Sequence, residues 1–138
     1  MKPLLAGIYD QLKTDPTIIG YVGAQVYVAS APEHTDLPYV IITHAGGMSP
    51  DYNTADQIEV TTIRVKAWSI DSEVVANLVD AVEKSVRTTT PALSVGTVMQ
   101  IIRGSTSLDL DPDPTTKGEE VWMGVIDLEC MVHRDPTV

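Results

Sequence analysis

A chain of 138 residues with 43% hydrophobic and 20% charged side chains can bury one sizeable core, which argues against wholesale disorder and for a single domain over residues 1–138. Nineteen acidic against nine basic side chains give a net charge of −10 with no basic run, a balance that argues against holding duplex or single-stranded nucleic acid. The single cysteine rules out an intrachain disulfide, and no run approaches the roughly 18 apolar residues of a membrane span, so a soluble protein made in the cytoplasm is expected.

Pro3 can open a helix, because its missing N–H is one of the donors that a first turn leaves unpaired. Leu5, Ile8 and Leu12 recur at helical spacing, and the pattern runs to Thr14. Asp15-Pro16 ends it, since the residue before a proline avoids the α region. A second short turn is expected over Thr17–Val22, bounded by Gly20 and Gly23. Gln25–Ala29 reads as a short strand and Ser30–Leu37 as a loop. Pro38 leads into a strand over Tyr39–Thr43 that is apolar on both faces and therefore central. Ala45–Gln57, rich in Gly, Ser, Pro, Asp and Asn, reads as a long exposed hairpin connection.

Ile58–Ile70 is the longest predicted strand, with Ile63, Val65 and Ala67 on one face and Thr62, Arg64 and Lys66 on the other. Asp71 is a predicted N-cap, and Glu73 in the following turn suits the helix dipole. Val75, Leu78, Val79, Val82 and Val86 then form one helical stripe, stopped by Thr88-Thr89-Thr90-Pro91. Val95–Gly104 gives another strand, Ser105–Gly118 a second long loop, and Glu120–His133 the last strand, before a short tail from Arg134 to Val138. The order predicts an α+β fold: a mainly antiparallel sheet of four to five strands with two principal helices packed on it.

The pattern offers little chemistry. His34, His44 and His133 lack the spacing of a zinc site, and Cys130 falls on a core face, where a small buried hydrophobe is expected. Asp109, Asp111 and Asp113 alternate as in a calcium loop, with Glu120 at the twelfth position. Pro114 stands where such a loop needs glycine, and strands flank it instead of helices. Ala45-Gly46-Gly47-Met48 follows a strand without a phosphate-binding pattern, and no nucleophile sits beside a base. No metal, cofactor or catalytic activity is expected. The last strand is different. Trp122 occupies one face while Val121, Met123 and Val125 occupy the other, so neither face of that half is polar. Two readings stay open there: a helix covers that end of the sheet, or the residues form a subunit interface.

In their order, these pieces resemble the tail-terminator, or tail-completion, family of long-tailed bacteriophages. The resemblance is carried by the helix ending near Leu12, Gln25-Val26-Tyr27 before Ala31-Pro32, Leu37-Pro38-Tyr39-Val40-Ile41, and the strand ending Val65-Lys66-Ala67-Trp68-Ser69. The helix from Ser72 to Val86, the Asp109–Asp113 segment and the closing strand complete it. It implies a homo-oligomeric ring, typically a hexamer, at the head-proximal end of the tail. Such a ring stops polymerisation of the tail tube protein and docks the head connector, and DNA only passes through its lumen. No membrane, cofactor or catalytic residue belongs to that role. The docking elements expected under it are the two long loops, with Met48, Asp51 and Tyr52 in one and Asp109, Asp111 and Asp113 in the other. A head–tail joining or neck subunit is the alternative within virion proteins. A small cytoplasmic metal- or ligand-binding domain is the alternative outside them.

Overall fold

The computed structural model describes residues 2–32, 35–48, 58–93, 97–110 and 121–133. Helix α1 (Lys2–Thr14) stops at Asp15, whose carboxylate turns to cap the next helix, α2 (Pro16–Val22), accepting from the Thr17 and Ile18 amides at 2.9 and 3.3 Å. Pro16 in the first turn costs no hydrogen bond, so the predicted short turn is a true helix. Helix α3 (Ser72–Thr88) starts at the expected N-cap, where Asp71 accepts from the Glu73 amide at 2.9 Å.

Five strands form one sheet: β1 (Val26–Val28), β2 (Tyr39–Met48), β3 (Ile58–Ser69), β4 (Thr97–Leu110) and β5 (Trp122–His133), in the spatial order β1-β2-β3-β5-β4. Three of the four pairings are antiparallel, as expected. The exception is β1, which lies parallel to β2, Val26 to Val28 facing Val40 to Ile42. Among the described residues between them there is no helix or strand, and the chain returns to the start of a parallel neighbour. Gln25 ties that return down, its side-chain amide donating to the Asp36 and Pro38 carbonyls at 2.9 and 3.0 Å.

Two strands run further than the sequence predicts. β2 continues past Thr43 to Met48 through Gly46 and Gly47, with Ala45 as an extra residue between His44 and Gly46 in the ladder to β3. Gly46 takes φ +142°, which a residue with a Cβ rarely adopts. β4 continues past Gly104 to Leu110, absorbing a bulge between Arg103 and Thr106. Pairing with β3 and β5 overrides the turn-like composition of these stretches.

All three helices pack on one face. The core joins Leu4, Ile8 and Leu12 of α1, Ile18 and Val22 of α2, and Val75, Leu78, Val82 and Val86 of α3. They meet Val40, Ile42, Ile63, Val65, Ile126 and Leu128 of the sheet. Burying each such side chain contributes about 1.5–3 kcal/mol. Gln11 locks the helices together by donating from Nε2 to the Ser85 carbonyl and the Thr89 carbonyl, both at 2.7 Å. It thereby satisfies the Thr89 carbonyl at the C-cap of α3 and adds a second donor to the Ser85 carbonyl, which already accepts from the Thr89 amide.

Candidate functional site

Directly paired residues point to the same side of a sheet, so the register sorts the strands into two faces. The face away from the helices begins with the cross-strand row Tyr39, Trp68, Met123 and Asp109. The next row is Tyr27, Ile41, Lys66, Val125 and Ser107, and the third is Thr43, Arg64 and Asp127. None of these residues belongs to the cluster that the helices form with the sheet, although Ile41 is itself buried.

The first two rows are mainly apolar, with Lys66 inside the second and Asp109 and Ser107 at the β4 end. Tyr39 and Trp68 stack with ring centroids 5.0 Å apart, and Ile41 beside them is only 9% exposed. The third row is polar and ordered. Arg64 Nε and a terminal guanidinium nitrogen donate to the two Asp127 carboxylate oxygens at 2.8 and 3.2 Å, and Ser105 Oγ adds a third bond at 3.1 Å. The hydrogen bond from Arg64 holds the Asp127 carboxyl below its ordinary range, and burial opposes it only in part. The face therefore carries an aromatic and aliphatic patch at one end, bounded by a fixed ion pair.

Met123 and Val125 lie half-buried on this patch. Val121 does not contribute: it precedes β5 and is only 5% exposed. A helix does cover this end of the sheet, on one of its two sides. The helices lie on the Gly124 and Ile126 side alone, where a Cβ at Gly124 would stand 2.5 Å from a Val75 methyl. Sequence reasoning missed Tyr27, Tyr39 and Trp68 as members of the patch. The alternation that placed Arg64 and Lys66 outward also places Trp68 outward, and that was the available signal.

Of the residues expected in docking loops, Asp109 is instead an exposed residue of β4 opposite Met123, and Met48 is the last residue of β2. Asp51, Tyr52, Asp111 and Asp113 lie outside the described residues, as does His34. His44 Nε2 sits 2.9 Å from Thr61 Oγ1, and His133 ends β5. Cys130 is fully buried, and desolvation pushes its thiol up to about 12. Among the described residues, no three His, Cys, Asp or Glu side chains converge as metal ligands, and no helix is long and apolar enough to cross a membrane.

No curated protein matches the chain. Its fold is similar to that of a chain in a solved structure described as the virion of native gene transfer agent (GTA) particle, with a TM-score of 0.75 and 16% identity over 96% of both chains. The sequence matches the family described as Tail completion protein gp17 over residues 6–127. With that match spanning most of its length and its fold, the chain belongs to the tail completion protein gp17 family and is a structural protein of the virion tail.

Proposed function

We propose that the protein is a tail terminator. Copies of it form a closed ring, six in number on the family resemblance, that caps the tail tube, ends its polymerisation and offers the head connector a docking surface. DNA passes through the lumen without being held. The observation that carries this reading is the one-sided sheet: the three helices pack on one face, while Trp68, Met123 and Val125 lie half-buried on the other, and an assembling subunit needs such a second apolar face. We assign Met123 and Val125 to the contact with a neighbouring virion chain. The net charge of −10 supports the lumen role, because a repelling surface does not trap DNA. The role is structural and calls for no catalytic step.

The test is electron microscopy of the purified protein, alone and with tail tubes. Rings at the end of tubes that then stop growing are the expected result, unaffected by chelator. Val125→Asp places a carboxylate in the proposed contact, at a cost of several kcal/mol if it is desolvated unpaired. The variant should retain wild-type circular dichroism and thermal midpoint while losing assembly. Normal assembly would remove Val125 from the contact, and an unfolded variant would make it part of the subunit's own packing.

A further inference from the structure

Seven large apolar side chains are exposed among the described residues, and four of them, Val28, Ile102, Leu108 and Leu110, lie on β1 and β4. Those are the two edge strands of the sheet. From Ile102 to Leu110 every residue of β4 except Gly104 is exposed, and its only described neighbour is β5. The other edge is composite. β1 pairs with Val40 to Ile42 alone, so β2 from Thr43 to Met48 has no described strand on that side. Neither Ser105–Leu108 nor Thr43–Met48 contains the Lys or Pro that commonly keeps an edge single.

Strand direction adds a constraint. β5 runs with β2, and β4 runs against both. A copy related by rotation about a ring axis therefore meets the β1–β2 edge of its neighbour with an antiparallel β4. A ring also needs a head-to-tail contact between two different surfaces, and the two edges are different surfaces. The helix-facing side of the sheet carries Leu108 and Leu110 at one edge and Val28 at the other, at 42, 44 and 39% exposure.

Resting on the ring reading, we infer that β4 of one copy pairs antiparallel with the β1–β2 edge of the next, so that the sheet continues from subunit to subunit. The pairing brings Leu108 and Leu110 against Val28.

Cysteine pairs test it in assembled particles. Val28→Cys is combined in turn with Thr106→Cys, Leu108→Cys or Leu110→Cys, which together span the registers of that stretch. Oxidation should give at least one pair a ladder of covalent multimers, while each single variant stays monomeric on a denaturing gel. Rings without any crosslink overturn the edge pairing and leave the ring standing. A single β4 variant that crosslinks to itself shows a two-fold β4–β4 contact instead, which also overturns it. Absence of rings overturns the terminator reading and this inference with it. With the wild-type chain, amide exchange over 105–110 and 43–48 should slow at least tenfold on assembly, and unchanged exchange would count against the pairing even if a cysteine variant fails to fold.

Discussion

Asp127 takes two hydrogen bonds from Arg64 and one from Ser105 at the boundary of the aromatic and aliphatic patch. Its carboxyl is depressed in the folded chain, so the pair stabilises the fold above the unfolded value of about 3.9 and loses that contribution as pH falls through the lower folded value. The Arg64 side chain is 41% exposed, so solvent screens the pair, and about 0.5–1 kcal/mol is the appropriate scale. Asp127→Asn should lower urea stability by that amount at pH 7. The gap from wild type should narrow steadily once the pH drops below about 4. A gap that persists unchanged into acid would mean that the side chain's packing, and not its charge, is responsible. Three of the expectations at this scale were legible. The Asp71 cap, the Cys130 burial and the outward Arg64 each follow from near neighbours in sequence. The Tyr39–Trp68 stack and the Gln11 bonds to α3 were not, because no local pattern encodes partners so far apart along the chain.

Elements were legible where periodicity was unbroken. α1, α3, β3 and β5 follow from spacing alone, since each buries one continuous stripe. β2 and β4 were read too short because Gly46-Gly47 and Ser105-Thr106-Ser107 have turn composition, and only the ladders to β3 and β5 keep them extended. The parallel β1 was hidden for a similar reason: a loop without a helix normally implies an antiparallel return. Elements approach closely where α3 crosses β5. A Cβ on Gly124 would lie 2.5 Å from Val75 Cγ1 and 2.9 Å from Val79 Cγ2, both on short branched side chains with little room to yield. Gly124→Ala should therefore cost about 1–3 kcal/mol by overpacking, read as a lower denaturant midpoint at unchanged slope. No loss of stability would mean that α3 can lift from the sheet without penalty.

For the whole molecule, the register places the two long connections at opposite ends of the strands. The chain leaves β2 at Met48 and enters β3 at Ile58, which pairs with His133 at the end of β5. It leaves β4 at Leu110 and enters β5 at Trp122, which pairs with Ser69 at the other end of β3. Under the terminator reading, one connection serves the tube and the other the connector. Residues 109–120 include Asp109, Asp111, Asp113, Glu119 and Glu120, so the partner there should present Lys or Arg. Attachment at that end should weaken as salt rises and the Debye length falls below about 8 Å. Residues 49–57 and 111–120 should also be cut by protease faster in free subunits than in intact particles. Equal cleavage in the two states, or attachment indifferent to salt, would take the docking role away from these connections.

The buried Cys130 has a practical corollary. A thiol with a pKa of about 12 is ionised to only on the order of one part in 10⁴ at pH 8, and only the thiolate reacts. It is also the only sulfhydryl in the chain and lies in the core beside Ile126 and Leu128 on β5. Alkylating reagents therefore reach it through opening of the β3–β5–β4 region, where Cys130 pairs with Thr61 on one side and Ile101 on the other. Its modification rate is an intrinsic clock of core opening, readable by mass in free subunits and in finished particles alike, with no label added to the protein.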